Sequence, residues 1–313
     1  MSSPALKKIS RRVIGDNLWL GLNGEGNQPD LVARLPVQAM HPEILGTEEE
    51  VAQAQFEEIE NCAASTAEDV VLVLLGGRGA QALYRLIRKL AESTAIDPLL
   101  RRLHVFTQDA LAPMRMSNGL SFVRDFERLL GDEFFGKVKS FTPMRTDTDD
   151  LENELGRYIG KIESLGGIDI CLLGLGPEAG AASHLAYIKP GSGATAADVA
   201  GLIPISSSIL EHHIAKFKVG GSTITEADEE ECRKATHILT LGPAAILGAK
   251  RIVQSVVDAA TAPGKPASYR RVMETEIADD PETRAEQLNE NPGLWLRLHP
   301  NVRSLILPDV LGS

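Results

Sequence analysis

The chain has 313 residues and a formal net charge of −11 at pH 7, with 32 Lys and Arg against 43 Asp and Glu. This acidic balance argues against a nucleic acid or an anionic membrane as the main partner, so an anion site would have to be local. No stretch approaches the ~18 uninterrupted apolar residues of a membrane span, and the first residues lack the apolar core of a signal peptide. The three cysteines are widely spaced and form no metal-binding pattern. We therefore expect a cytoplasmic protein without a metal or other cofactor.

The chain divides into an N-terminal extension, residues 1–34, and one domain, residues 35–313. In the extension, residues 18–22 are a candidate short strand and residues 23–27 a turn cluster. Helices are then predicted over 47–64, 80–93, 118–130, 148–164, 226–235 and 243–260, and strands over 70–75, 103–107, 168–174, 222–225, 237–241 and 303–307. This alternation predicts an α/β fold with a doubly wound, mostly parallel sheet in three α/β/α layers, as in Rossmann-like proteins.

A glycine-rich loop follows the first strand of this domain. It contains Gly76, Gly77, Arg78 and Gly79 and leads into a predicted helix. Glycines let the backbone approach an anion closely, the first N–H groups of a helix are unpaired, and Arg78 adds a permanent positive charge. These features are typical of a phosphate-binding loop. The alternative is an ordinary strand-to-helix turn, in which Arg78 points away and pairs with a surface carboxylate.

The residues that follow the other strands are candidates too, because ligands of parallel sheets collect at the carboxyl ends of the strands. Asp109 follows the strand over 103–107, and a second glycine loop with Gly174, Gly176 and Gly180 follows the strand over 168–174. Glycine loops around one acid suit a sugar phosphate, with the loops holding the anion and Asp109 moving a proton. The second loop also fits a loose dinucleotide-binding pattern. No strand ending in an acidic residue follows it, which disfavours a nicotinamide cofactor.

Five groups of residues, in this order, resemble one protein family. They are Gly76-Gly-Arg-Gly with Leu83-Tyr84, Phe106-Thr-Gln-Asp109, Ser117-Asn118 with Ser121-Phe122, Gly166-Gly-Ile-Asp169 with the loop at 174–183, and the closing segments at 298–302 and 305–309. Over residues 35–310 the chain is similar to the glucosamine-6-phosphate deaminase and 6-phosphogluconolactonase superfamily. The resemblance implies an enzyme of carbohydrate metabolism, either an isomerase-type deaminase or a hydrolase, with the first glycine loop holding the phosphate and Asp109 as the general base.

The second glycine loop departs from the family's pattern. Aligned without a gap, the family's loop acid falls on Glu178 and its catalytic histidine on Gly180, while a late lysine falls on Ala245. We therefore expect Glu178 or His184 to take the proton-transfer role of the missing imidazole. The alternative is that His184 is an ordinary histidine satisfied on a loop or helix surface. The basic segment 216–218 aligns too loosely for a role to be given to either lysine.

Two functions follow from this combination of matches and departures. The first is an enzyme of the superfamily with altered catalytic residues and a changed substrate. The second is a catalytically silent protein that binds or senses a sugar phosphate. In both, the expected partner is a phosphorylated sugar or sugar lactone, and a homo-oligomer is left open. A third alternative is that the glycine loop no longer binds phosphate and that the chain binds an unrelated small ligand.

Overall fold

A computed structural model describes residues 9–22 and 35–312 of the chain. The turn cluster predicted at 23–27 lies outside these residues. The strands are β1 (Ile9–Ile14), β2 (Asn17–Leu22), β3 (Glu43–Ile44), β4 (Val70–Leu74), β5 (Leu103–Thr107), β6 (Asp109–Ala112), β7 (Ser140–Thr142), β8 (Ile170–Leu173), β9 (Gly176–Pro177), β10 (Ser183–His184), β11 (Asp198–Pro204), β12 (His237–Leu241), β13 (Arg251–Val256) and β14 (Val302–Ile306).

The helices in this part of the chain are α1 (Glu48–Ala64), α2 (Gln81–Ala91), α3 (Asp97–Leu100), α4 (Phe122–Lys137), α5 (Leu151–Ser164), α6 (Ser207–Val219), α7 (Glu226–Cys232), α8 (Pro243–Leu247), α9 (Lys265–Glu274) and α10 (Pro281–Glu290). Short 3-10 turns occur at Arg78–Ala80, Ala179–Ala181, Pro292–Leu298 and Pro308–Leu311. Among the helices described, none is both long enough and apolar enough to cross a membrane.

Seven strands form a parallel sheet in the order β3-β14-β13-β8-β4-β5-β7. From β4 the chain moves outward through β5 to β7 on one side, and it later returns to build β8, β13 and β14 on the other side. The winding direction therefore reverses between β4 and β8. Such a reversal leaves a crevice at the carboxyl ends of the two strands, where ligands of this fold class bind. The prediction of a doubly wound parallel sheet is confirmed.

The side chains of β4 show why the sheet lies between two helical layers. Val70, Leu72 and Leu74 belong to a core cluster that includes residues of α1 and α2, whereas Val71 and Val73 belong to a second cluster that includes residues of α5. All five are almost completely inaccessible to water. Burying a side chain of this size contributes about 1.5–3 kcal/mol. An uninterrupted apolar run is therefore required in this strand, as expected for a parallel strand covered on both faces.

A second sheet is antiparallel, with the order β1-β2-β11-β12-β6. Its edge is the hairpin of residues 9–22, so the short strand predicted at 18–22 is confirmed within β2. Trp19 of this hairpin is fully buried and packs on Gly201 of β11, where an added Cβ would lie 2.5 Å from the indole ring. The indole N–H donates to the Ser192 carbonyl at 3.0 Å. These contacts tie the hairpin firmly to the rest of the protein.

Some predicted elements are wrong. The helix predicted over 243–260 is the short helix α8 followed by strand β13, because the β-branched residues after Gly248 favour a strand. The segment 222–225, predicted as a strand, is the approach to α7, and Thr225 at its end forms a capping box with Asp228. The strand predicted over 237–241 exists as β12, but it belongs to the antiparallel sheet. The first of these errors concealed part of the site described next.

Candidate active site

A cavity opens at the carboxyl ends of β4 and β8, where the winding of the parallel sheet reverses. It is lined by residues that the sequence singled out, namely Gly76, Arg78, Gly79, Asp109, Gly174, Gly176 and His184. It is also lined by residues for which no role was predicted, including Tyr187, His212, Lys216, Ser255 and Lys265. The structure therefore brings the two glycine loops, the acid and one histidine together, and adds two lysines to them.

The first glycine loop has the backbone geometry of an anion site. Gly77 adopts φ 96° and ψ −162°, a conformation open essentially to glycine alone. The Ser255 hydroxyl donates to the Gly79 carbonyl at 2.7 Å, and the Tyr84 hydroxyl donates to the Leu75 carbonyl at 2.7 Å. The backbone N–H groups of residues 77–79 have no acceptor within the described residues. They are therefore available to an anion that enters the cavity.

Lys216 of α6 extends over this loop. Its Nζ and Cε atoms lie 2.2 Å from the position that a Cβ on Gly77 would take, so the side chain lies directly on the glycine backbone. Burial and repulsion by Lys265 lower the pKa of the Lys216 ammonium, although Asp258 and Asp109 oppose this shift. With the described residues Lys216 forms no ion pair, whereas Lys218 on the same helix pairs with Glu229 at 2.6 Å. A bound anion would supply the counter-charge that Lys216 lacks.

Two further cations border the same part of the cavity. The ammonium of Lys265, at the start of α9, forms a buried ion pair with Asp258, which follows β13. Burial raises the pKa of Asp258, but Lys265, Lys216 and Arg78 outweigh that effect and hold the pKa below its ordinary value. Arg78 also binds Glu48, at 2.7 Å from Nη2, while its Nε has no partner among the described residues. Three cations against two carboxylates leave an excess of positive charge, which favours a phosphate.

Asp109 lies where the chain crosses from one sheet to the other. Strand β5 of the parallel sheet ends at Thr107, and β6 of the antiparallel sheet begins at Asp109. The carboxyl group is buried, and its Oδ1 has no hydrogen-bond partner within the described residues. Burial raises the pKa of Asp109 to about 7, against the opposing effects of Lys216 and a hydrogen bond with Gln108. A carboxyl group with this pKa both accepts and returns a proton near neutral pH.

Glu178 and His184 form a hydrogen-bonded pair on the second glycine loop. His184 Nδ1 lies 2.9 Å from Glu178 Oε1. With Nδ1–H donating to the carboxylate, Nε2 is left as the free acceptor of the ring. Burial lowers the pKa of His184 even though Glu178 favours the charged form, so the imidazole is neutral near pH 7. The side chain is only 13% exposed and lines the cavity, so the surface-histidine alternative does not describe His184.

The three glycines predicted in the second loop have different surroundings. An added Cβ on Gly176 would lie 1.7 Å from His184 Nε2, so only glycine allows the imidazole this position. Gly174 packs against Leu75, whose Cδ1 would lie 3.2 Å from an added Cβ. Gly180 does not line the cavity, and its carbonyl accepts a hydrogen bond from Arg271 at 2.9 Å. Two of the three therefore lie where a ligand would contact them.

Comparison with known proteins gives a family context to this geometry. No protein-family model matches the chain. A glucosamine-6-phosphate deaminase of Rhodopirellula baltica is 28% identical over 179 residues, which are 57% of this chain and 62% of that protein. A monomeric glucosamine-6-phosphate deaminase of known structure superimposes with a TM-score of 0.64 and 22% identity, over 87% of this chain and 98% of its own. The structure of the 6-phosphogluconolactonase of Trypanosoma cruzi superimposes with a TM-score of 0.62 and 14% identity, over 88% of this chain and 99% of its own. The chain therefore has the fold of these glucosamine-6-phosphate deaminase and 6-phosphogluconolactonase structures, and part of its sequence is similar to a glucosamine-6-phosphate deaminase.

The sequence similarity and the shared fold confirm the resemblance drawn from the ordered sequence segments. Sequence reasoning nevertheless missed the pair Asp258 and Lys265, because the helix predicted over 243–260 hid the end of β13. A usable signal was present: residues 251–256 include the β-branched residues Ile252, Val253 and Val256, and a Pro- and Gly-containing turn with Lys265 follows them. Recognising that strand would have placed both residues at the same sheet edge as the glycine loops.

Proposed function

We propose that this protein is an enzyme that acts on a phosphorylated sugar. The observation that carries the proposal is that a glycine loop suited to an anion, a carboxyl group with a pKa of about 7 and His184, which is hydrogen-bonded to Glu178, line one cavity. The superfamily relatives support it, because they are a glucosamine-6-phosphate deaminase and a 6-phosphogluconolactonase. The same cavity without the acid and the imidazole would suit a binding protein equally well.

In this proposal the phosphate group occupies the first glycine loop. The N–H groups of residues 77–79 donate to its oxygens, and Lys216 covers it from the opposite direction. Arg78 contributes its free Nε, and Lys265 adds positive charge while it stays paired with Asp258. Hydrogen bonds between charged groups are roughly twice as strong as neutral ones, so this end of the cavity would supply most of the binding free energy.

Asp109 and the histidine–glutamate pair then move protons at the sugar end. Asp109 takes a proton from a carbon next to a carbonyl group, or from a water molecule, and its conjugate acid returns the proton in the next step. His184 Nε2 accepts a proton from a substrate hydroxyl, and Glu178 stabilises the imidazolium that forms. Each step transfers one proton between a protein group and the substrate, so no cofactor is needed for either.

Two reactions are candidates. We rank deamination of glucosamine 6-phosphate first, because the Rhodopirellula baltica relative is named a glucosamine-6-phosphate deaminase. We rank hydrolysis of 6-phosphogluconolactone second, because the structural neighbour from Trypanosoma cruzi is named a 6-phosphogluconolactonase. The departures at Gly180 and Ala245 also allow a changed substrate of the same phosphorylated class.

The test measures ammonia release from glucosamine 6-phosphate and acid release from 6-phosphogluconolactone with the purified chain. Each assay is repeated with Asp109→Asn and with the matched lysine variants Lys216→Met and Lys218→Met. We expect Asp109→Asn to lose turnover but to keep phosphate binding. Lys216→Met should raise KM, whereas Lys218→Met should behave as the parent protein because Lys218 pairs with Glu229 on the surface.

Binding and turnover separate the alternatives. A rise in melting temperature with glucosamine 6-phosphate or 6-phosphogluconate, without turnover of either substrate, would favour the silent binding protein. If the melting temperature rises neither with these compounds nor with inorganic phosphate, both functions are rejected. The alternative that the loop no longer binds phosphate would then remain. Turnover that Asp109→Asn does not reduce would remove Asp109 from its proposed role.

A further inference from the structure

The segment around His184 has an unusual backbone. Ala181, Ala186 and Tyr187 have φ values of 60°, 47° and 60°, a left-handed conformation that residues other than glycine rarely adopt. In the described part of the chain they are the only residues other than glycine with positive φ, and all three lie within four residues of His184. Strained backbone of this kind persists where the surrounding structure enforces it, and it gathers at functional sites.

The turn at Ala186 and Tyr187 has one clear result, which is to place the Tyr187 ring against His184. The two rings are stacked, with centroids 5.0 Å apart and planes inclined by 23°. Gly176 lies against the same imidazole near Nε2, and Glu178 binds Nδ1. The imidazole of His184 is thereby restrained by a neighbouring aromatic ring, by a glycine backbone and by a carboxylate.

The position of Tyr187 is itself fixed from behind. Its side chain is 5% exposed, and its ring packs on Phe122 with centroids 6.3 Å apart. Its hydroxyl lies 3.4 Å from Nδ1 of His213, and His213 Nε2 is 2.7 Å from the Leu120 carbonyl. The Ala186 carbonyl accepts a hydrogen bond from the Thr240 hydroxyl of β12. Contacts from α4, α6 and β12 therefore enforce the strained turn.

We propose that Tyr187 is a positioning residue for His184: the strained turn presses its ring against the imidazole and keeps Nε2 directed at the cavity. This inference rests on the proposed function, in which His184 transfers a proton. Tyr187 contacts no reacting atom in this scheme. Its ring shields the imidazole from water and limits rotation about the His184 side-chain bonds, so it sets both the orientation and the protonation state of the base.

The titratable and charged groups around His184 come from three elements. Glu178 lies on its own loop, His212 and Lys216 on α6, and Lys265 on α9. Burial lowers the pKa of His184, Glu178 opposes that shift, and the two lysines add to it. Removal of the Tyr187 ring would admit water and leave Glu178 in place, so the pKa of His184 should rise.

The experiment compares Tyr187→Leu, which removes the ring, with Tyr187→Phe, which keeps it. The His184 imidazole is followed by NMR as a function of pH, using ¹³C-labelled histidine and His184→Gln for assignment. We expect Tyr187→Leu to raise the pKa of His184 and to lower kcat at pH 7 at least tenfold, with phosphate affinity unchanged. Tyr187→Phe should leave the pKa of His184 unchanged and keep kcat within about twofold of the parent value. An unchanged His184 titration in Tyr187→Leu would overturn the proposal.

A measurement on the unmodified protein covers the case in which Tyr187→Leu does not fold. A stacked tyrosine ring shifts the His184 Cε1 proton upfield and gives cross-relaxation between the two rings. Absence of both effects would also overturn the proposal. The NMR readouts need no turnover, so they distinguish failure of this inference from failure of the proposed enzymatic function. If no sugar phosphate is turned over but the stacking is observed, only the proposed function is rejected.

Discussion

Substitution of Gly77 by alanine is the sharpest test of the anion loop. The backbone at φ 96° and ψ −162° is strained for any residue with a Cβ, which costs on the order of 1–3 kcal/mol. The new Cβ would also meet Lys216, whose Nζ and Cε lie 2.2 Å from its position, so the lysine must leave the loop. A hydrogen bond to a charged group contributes about 1.5–3 kcal/mol, so phosphate affinity should fall about 10- to 100-fold.

The assay is isothermal titration of the folded variant with inorganic phosphate and with 6-phosphogluconate, together with thermal unfolding. Gly166→Ala is the matched control, because Gly166 has a similar φ of 92° but open space around its Cβ position, without a lysine over it. Both variants should melt at lower temperature than the parent, but only Gly77→Ala should lose affinity. If Gly77→Ala binds phosphate as tightly as Gly166→Ala does, the loop is not the anion site.

Three further outcomes are expected. Burial raises the pKa of Asp109 to about 7, so the folded state binds more protons than the unfolded state and is destabilised as pH rises from about 4 to 7. In urea unfolding, Asp109→Asn should therefore be more stable than the parent at pH 8, by up to about 4 kcal/mol, and as stable as the parent below pH 4. Lys265→Met leaves Asp258 buried without its partner and should lower the free energy of unfolding by about 3 kcal/mol. The double variant with Asp258→Asn should recover most of this loss, and equal losses in the single and double variants would contradict the reasoning. Glu48→Gln frees Arg78 from its counter-ion and should tighten phosphate binding about two- to fivefold by titration, whereas weaker binding would mean that Glu48 holds Arg78 in its binding position.

Strands β4 and β8 of the parallel sheet could be predicted because they are continuous apolar runs followed by glycine loops, whereas β13 of the same sheet was mistaken for part of a helix. Strand β4 and the loop at 76–79 follow this rule, and the order of the loops indicated the family. In the antiparallel sheet β2 and β12 were predicted as strands, whereas β1, β6 and β11 were missed because they carry no such uniform pattern. Strand β11 contains Gly201 and ends at Pro204, which are weak strand formers, and it exists because Trp19 and β12 pack and pair with it.

The candidate site shows the same division. Gly77 and Asp109 could be predicted because each directly follows a recognisable strand. Lys216 could not, since it extends from the last turn of a helix toward a loop 139 positions earlier in the chain, and only the packing of α6 brings the two together. The role of Tyr187 also depends on contacts, because no local pattern in the sequence indicates that a tyrosine will adopt a positive φ.

The chain passes from β5 of the parallel sheet into β6 of the antiparallel sheet, so the relative positions of the site residues depend on how the two sheets pack. The loop at 76–79 belongs to the parallel sheet, and Asp109 belongs to the antiparallel one, with Gln108 as the single residue between the two strands. In the proposed function, the separation between the bound phosphate and the Asp109 carboxyl is therefore set by how the two sheets pack. We expect core substitutions between the sheets to change which length of sugar phosphate is accepted, while every residue of the proposed site stays the same.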